Sequence, residues 1–442
     1  MSGIDGFVIA PKPAVYFGAG AISQLPDLVR ATGADQAVVV TEATLAVTPV
    51  IATVMALLAD AGLRARLFSG VHPNPTTGDI AAGAQAVAEA AAGAAAADQA
   101  ATVAATLRPT APLAASVPSA PSPAAAPEPA AASSVPSVAL APSIPRIALV
   151  GVGGGAPIDA AKGIAIAAVN PQLVQDLEYR DDFAVPALPI VAVPVTAGAG
   201  AEASAFGVVT DPAAHRTFCV GHASAMPSAA ILDPILTVGL SPAVTAAAGL
   251  DALTHALESY LSARPNPWSD GLALQAVRMI AASLPRACAD GTDLAARSQL
   301  LLAAHMAGVA TANTGLGLCH AIGHSLCGRW DIAHGEALAV LLPGVLRFNL
   351  PVRTERLADI AFALGVGDTH ADTWLNAEAA IGALTALRDE VGLTRLIGDF
   401  GITEASFAQI TADALADEVL ANAPRQPTAD DIGAILLAAA GR

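Results

Sequence analysis

The chain is short of charge, of aromatic rings and of cysteine. Only 13% of its 442 residues are charged and 4% aromatic, and the 21 lysines and arginines are outnumbered by 38 acids, a formal net charge of −17. No basic cluster is present to neutralise phosphates, which argues against nucleic acid or an anionic membrane as a partner. The four cysteines, Cys219, Cys288, Cys319 and Cys327, make no CxxC pair, so no disulfide framework is expected. The N-terminus has no basic stretch followed by an apolar one, and no run of about 20 strongly apolar residues follows, so a cytoplasmic protein without a membrane span is expected. What is abundant is small and apolar: 54% of the residues are hydrophobic, enough for a large Ala/Val/Leu core and two or three domains.

Up to about residue 80, short β-branched runs alternate with helical patterns: AVYFG, QAVVVT and RARLFS separated by AISQLPDLVRATG and TPVIATVMALLADAG. A second set of runs follows at RIALVGV, PIVAVP and AAILD. That punctuation predicts βαβ units and a parallel sheet. Between the sets lies an Ala-rich stretch that suits a helix, then a Pro/Ala/Ser segment at about 108–145 with no periodic apolar face. Such a segment does not offset its own ordering entropy, and it is expected to be a disordered surface insert. Beyond Ser241-Pro242 the pattern is helical to the end. The expected architecture is therefore a Rossmann-like α/β domain over 1–240 and an all-helical domain over 241–442.

The stretch RIALVGVGGGAPIDAAKG reads as a strand, a turn at Gly153, Gly154 and Gly155, and a helix with Pro157 near its start. Glycines allow close backbone approach to a pyrophosphate, and the helix start offers free N–H groups, although a Gly-rich turn is often only a turn. Asp159 and Lys162, one helical turn apart, are candidates to face a ribose or nicotinamide. Glu42 ends the run QAVVVTE, where a carboxylate accepts from an adenine ribose 2′-OH and repels a 2′-phosphate; this favours NAD over NADP, unless Glu42 is simply a solvated loop carboxylate. The small residues of VPVTAGAGAEAS suit a flat ring against backbone, or a tight turn.

Three of the nine histidines fall in CHAIGHSLCGRWDIAHGEA. His320 and His324 share a helical face, and His334 follows a chain reversal. Asp251 and His255 in GLDALTHALESY are likewise four apart. From these two pairs and the further imidazole, one carboxylate and three nitrogens in otherwise uncharged helices suit a divalent ion such as Fe(II) or Zn(II), with a position left for substrate. His305 reads as packing, and His72, His215, His222 and His370 as loop residues.

These stretches resemble the iron-containing (group III) alcohol dehydrogenases over nearly the whole chain apart from the insert. GGGAPIDAAK matches the family's GGGSxxDxAK, PVTAGAGAE its PTTAGTGSE and GLDALTHALE its GxDALxHxxE, while His320, His324 and His334 match its HxxxHxxxxxxxxxH. The resemblance implies that Asp251, His255, His320 and His334 hold the metal and that His324 is the non-ligand histidine beside the nicotinamide. It implies that Gly153 to Gly155 hold the pyrophosphate, that Asn74, Asp159, Lys162 and Thr196 line the cofactor cleft, and that Arg216 stands where the family often has lysine. It also implies hydride transfer between a small primary alcohol or aldehyde and NAD, and a homodimer or larger homo-oligomer. Glycerol dehydrogenase, maleylacetate reductase and a non-catalytic metal-binding scaffold are the rival readings. Ala156, Val195, Ala199 and Ala201 depart from the family's Ser, Thr, Thr and Ser, which is expected to weaken dinucleotide binding by lost hydrogen bonds.

Overall fold

All six β-branched runs become strands of one sheet. The computed structural model describes residues 9, 13–106, 146–170, 174, 183–214 and 216–442; the Pro-rich segment expected to be disordered lies outside them. The α/β half contains, in order, β1 (Ala14–Phe17), α1 (Leu25–Ala31), β2 (Gln36–Glu42), α2 (Ala43–Ala46), α3 (Pro49–Asp60), β3 (Arg64–Val71), α4 (Thr77–Thr106), β4 (Ile147–Gly153), α5 (Gly155–Ala167), β5 (Ile190–Pro194), β6 (Phe206–Asp211), β7 (Arg216–Gly221) and β8 (Ala229–Leu232). The sheet order is β1-β8-β5-β4-β2-β3, with every pairing parallel.

Parallel strands are covered on both faces, so their sequences run apolar throughout. The period of two still sorts the side chains. Val38, Val40, Ile147 and Leu149 face one layer with Ile80 of α4 and Ile164 of α5. Ala37, Val39, Ala148 and Val150 face the other with Leu25 and Val29 of α1 and Val54 and Leu58 of α3. The chain leaves β2 outward to β3 but leaves β4 the other way to β5, so the order reverses between β2 and β4. In such sheets a crevice opens beyond the carboxyl ends of the strands at that point, and Glu42 and Gly153 stand there.

β6 and β7 form a separate antiparallel hairpin that the run-by-run reading does not predict. It is seated on α5: a Cβ on Gly207 would come within 2.7 Å of the Asp159 Cβ, so only glycine allows that approach.

The helical half begins with α6 (Pro242–Leu261), whose N-cap Ser241 side chain accepts from Val244 N. It continues with α7 (Pro267–Ala289), α8 (Leu294–Thr314), α9 (Leu318–Trp330), α10 (His334–Ala363), α11 (Thr373–Glu390), α12 (Phe407–Ala416) and α13 (Ala429–Ala439). Among the described residues α10 alone is long and apolar enough to cross a membrane, but it is mostly buried inside this half, where Leu338, Leu341 and Val345 join one continuous core with α6 to α9. It is the core helix of the bundle.

Candidate metal and cofactor site

Three helices deliver the candidate ligands to one point. Asp251 and His255 project from the buried face of α6, His320 and His324 from α9, and His334 opens α10. Asp331 makes the reversal between α9 and α10 with φ 52°. Gly335 then lets α10 press on α6: a Cβ there would lie 1.9 Å from the Ala247 carbonyl oxygen. Any side chain at 335 would push His334 away from Asp251.

Asp251, His320 and His334 each offer a donor atom, and these lie within 4.8 Å of one another. His320 Nε2 is 3.9 Å and His334 Nε2 3.8 Å from Asp251 Oδ1. His255 borders this set: its ring centroid is 4.6 Å from that of His320, and its Nδ1 is turned to Asp251 Oδ1 at 3.3 Å. A carboxylate four residues back on the same helix draws that nitrogen along the helix axis.

Asp251 Oδ1, His255 Nδ1 and His320 Nε2 are buried with no hydrogen-bond partner. Orphaned buried polar atoms are rare because each costs its full desolvation, and here three of them converge. One carboxylate and three imidazoles, with no thiolate among them, are a donor set that a divalent Fe or Zn ion satisfies. The residues fit the group. Burial pushes the Asp251 carboxyl up to about 6, against the pull of His334 and His324. It pushes His255 down to about 4, His320 well down, and His334 down as well, although 36% of the His334 side chain is open to the cleft. The imidazoles are thereby kept neutral, the state in which they bind a cation.

Around this set lie residues not singled out from the sequence. Glu258, seven residues after Asp251 on α6, accepts from Gly317 N at 2.8 Å and Cys319 N at 2.6 Å and lies 2.5 Å from His320 Nδ1. Burial pushes its carboxyl up to about 7, those backbone donors pulling the other way. The spacing Asp251, His255, Glu258 on one helical stripe was a usable signal. Asp417 Oδ2 lies 2.7 Å from His324 Nδ1, and Cys327 Sγ lies 3.4 Å from His334 Nδ1.

The metal candidates form one end of a cleft of about 530 Å³ whose other end is the carboxyl edge of the sheet. Glu42, Asn74, Gly154, Gly155, Asp159, Thr196 and His324 all line it. Gly153 ends β4 behind them with φ +156°, where a Cβ would meet Pro157 Cγ at 2.4 Å. Gly154 caps α5, so the first N–H groups of that helix, which have no partner within it, face the cleft. Pro157 is the third residue of α5, near the helix start as expected. Asn74 Nδ2 donates to Asp331 Oδ1 at 3.0 Å across the cleft, tying the two halves together.

Lys162 is not part of the lining. It is wholly buried, and its Nζ donates to Asp159 Oδ1 at 3.2 Å, Ser204 Oγ at 3.1 Å and Phe206 O at 2.5 Å. It is a strut behind the cleft wall that joins α5 to the loop before β6, because a buried ammonium takes the nearest full set of acceptors. Asp159 is likewise engaged, its Oδ2 accepting from Val208 N at 3.1 Å. Arg216 opens β7 opposite Asp211, and its neighbour Thr217 lines the cleft. His305, expected to be packing, instead pairs through Nδ1 with Glu202 Oε1 at 2.9 Å, both buried; a carboxylate buried in the 3-10 turn Ala201–Ala203 needs such a partner. His72, His222 and His370 lie outside helices and strands as expected, and His215 lies outside the described residues. Ala156, Val195, Ala199 and Ala201 all line the cleft, so the departures from the family pattern fall on its wall.

Comparison with known proteins agrees with this geometry. Residues 12–106 and 124–234 match the model of iron-containing alcohol dehydrogenase, and residues 245–440 that of the Fe-containing alcohol dehydrogenase family, C-terminal. The chain is 41% identical over 287 residues to 1,3-propanediol dehydrogenase of Klebsiella pneumoniae, covering 65% of this chain and 74% of that protein. It is 37% identical over 289 residues to NAD-dependent methanol dehydrogenase of Bacillus methanolicus, covering 65% and 76%. The crystal structure of a 1,3-propanediol oxidoreductase superposes with a TM-score of 0.84 at 32% identity, covering 98% of this chain and 100% of that one. The chain belongs to the iron-containing alcohol dehydrogenase family, whose members are oxidoreductases of alcohols and aldehydes.

Proposed function

We propose that the chain interconverts a short primary alcohol and its aldehyde with NAD as partner, using a divalent ion held by Asp251, His320 and His334 with His255 as the adjacent fourth donor. The observation that carries this is the convergence of three unpartnered buried donors at the end of a cleft whose other end is a strand-to-helix glycine turn. When bound, the cation supplies Lewis acidity that makes the alcohol hydroxyl easier to deprotonate, and NAD supplies the hydride acceptor.

The chain's own residues do the rest. The free N–H groups at the start of α5 bind the pyrophosphate, and Glu42 accepts from the adenine ribose, which favours NAD over NADP. Thr196 and the backbone of 198–201 form the flat wall for the nicotinamide. His324, with Nδ1 engaged by Asp417, keeps its other nitrogen for the proton that leaves the hydroxyl. Ala248, Ala312, Leu316 and Gly328 line the cleft on the helical side; they leave room for a small aliphatic chain and offer nothing to a charged one. The names of the propanediol and methanol dehydrogenases to which the chain is similar agree with a small alcohol.

The test is NADH oxidation with a panel of short aldehydes, on metal-stripped protein and again after anaerobic addition of Fe(II) or Zn(II), with NADPH in parallel. Activity restored by one ion and preferring NADH supports the reading and names the metal. Full metal occupancy without turnover on any aldehyde would overturn it in favour of the scaffold.

A further inference from the structure

His320, His324 and Cys327 stand at intervals of four and three along α9, so one helical stripe carries all three. Cys327 is 8% exposed, lines the cleft and places Sγ 3.4 Å from His334 Nδ1. The other nitrogen of that ring, Nε2, points toward Asp251 Oδ1 at 3.8 Å, the oxygen that is buried without a partner.

An imidazole that binds a cation through Nε2 carries its proton on Nδ1, and the acceptor of that proton fixes the ring's tautomer and orientation. For His320 the acceptor is the Glu258 carboxylate at 2.5 Å. For His334 the structure places a sulfur there. At 3.4 Å this sulfur is a weak acceptor beside a carboxylate. His334 is also the ligand most open to the cleft, at 36% of its side chain against 1% for His320.

We propose that Cys327 is the positioning residue of His334: its sulfur accepts from His334 Nδ1–H and aims Nε2 at the cation, and the softness of that hold makes His334 the ligand through which the ion enters and leaves. The proposal rests on the metal reading of Asp251, His320 and His334, and goes beyond it by naming the residue that governs ion exchange.

The test uses Co(II) as the probe. The full-length protein, Cys327→Ala, Cys327→Ser and the control Cys288→Ala are loaded with Co(II), and its release to excess chelator is followed by the visible absorption of the bound ion. Thermal unfolding of the metal-free forms identifies any variant that has lost the fold. Loss of an outer hydrogen-bond partner of a metal ligand typically costs about 10–100-fold in affinity. Cys327→Ala is therefore expected to release Co(II) faster by a factor of that order. Cys327→Ser, which restores an acceptor, is expected to release it distinctly more slowly than Cys327→Ala, and Cys288→Ala at the unmodified rate. Equal rates for Cys327→Ala and the unmodified protein would overturn the proposal, and so would equal acceleration by Ala and Ser, which indicates packing alone. A thiolate-to-cobalt charge-transfer band that disappears in Cys327→Ala would overturn it too, by making Cys327 a ligand. Failure of the unmodified protein to bind Co(II) at all would instead defeat the metal reading beneath it.

Discussion

The Glu258 carboxylate holds His320 by two routes at once: one oxygen lies 2.5 Å from the ring Nδ1, and the pair of oxygens also accepts Gly317 N and Cys319 N. The first turn of α9 and the ring it carries are thus pinned to α6 by a single side chain. Gly317 makes room for this, since a Cβ there would lie 3.0 Å from Glu258 Oε1. Glu258→Gln keeps the shape but replaces an anionic acceptor with a weaker neutral one. We expect about 10–100-fold weaker cation binding, measured by competition with a chromophoric chelator at pH 8. Unchanged affinity would show that His320 is held by packing alone.

The same competition run against pH should show two protons leaving. From neutral pH downward Glu258, pushed up to about 7, takes a proton and loosens its hold on His320; then Asp251, at about 6, takes another. His255, pushed down to about 4, stays a neutral donor through this range. Cation affinity should therefore fall below pH 7 and steepen below 6, by about tenfold per pH unit for each proton that competes, and Glu258→Gln should lack the upper step. The fold of the metal-free protein should respond less. The two raised carboxyls contribute stability at low pH that is lost as pH rises through 6 and 7. The lowered His255, His320 and His334 contribute stability that grows as pH rises toward their ordinary 6.5, from about pH 4 for His255 and His334, so the terms offset.

The parts that local pattern decides were legible. β2 and β4 follow from β-branched runs bounded by turns, and the helix start at Pro242 from a Ser-Pro cap. The i,i+4 pairs Asp251/His255 and His320/His324 follow from helical period, and Glu258 was within reach of the same rule one turn further on. What escaped depends on contacts distant in sequence. Asp417 lies 93 residues beyond His324, and Glu202 and His305 are 103 apart. The inward turn of Lys162 depends on where Ser204 and Phe206 are brought by a hairpin that no single run announces. The close passage of Gly200 against Gly308, where a Cβ at 200 would come within 2.6 Å of the Gly308 Cα, likewise sets the cleft wall; Gly200 lies in the quoted PVTAGAGAE stretch, but its partner Gly308 is marked by no motif.

Ala156 lies in the first turn of α5, half-buried and lining the cleft, one of four positions where this chain has lost a hydroxyl that the family pattern carries. Ala156→Ser restores a donor and acceptor beside the helix start without adding a branch. One hydrogen bond contributes about 0.5–1.5 kcal/mol, so the variant should bind NADH roughly two- to tenfold more tightly by fluorescence titration, with turnover of the bound complex little changed. Ala199→Thr is the less favourable choice. The Ala199 Cβ already stands where a Cβ on Gly155 would approach to 2.9 Å, and a larger side chain would press on the glycine turn itself. If Ala156→Ser leaves the affinity for NADH where it was, the cofactor approaches α5 from another side.

His324 shares α9 with a proposed ligand, stacks on another at 5.9 Å between ring centroids, and yet hydrogen-bonds outward to Asp417. A ring with Nδ1 anchored and its other nitrogen turned to the cleft is arranged to move a proton rather than to bind the ion. His324→Ala should then lower kcat for alcohol oxidation by about 10²–10⁴-fold while metal content, measured by atomic emission, stays at the unmodified level. Asp417→Asn should lower it less, by releasing the ring from its anchored orientation. Because Asp417 acts only through His324, the double variant should be no slower than His324→Ala alone, a coupling as large as the whole Asp417 effect. Additive losses would mean that Asp417 reaches the reaction by a route of its own, and loss of metal in His324→Ala would make His324 a ligand instead.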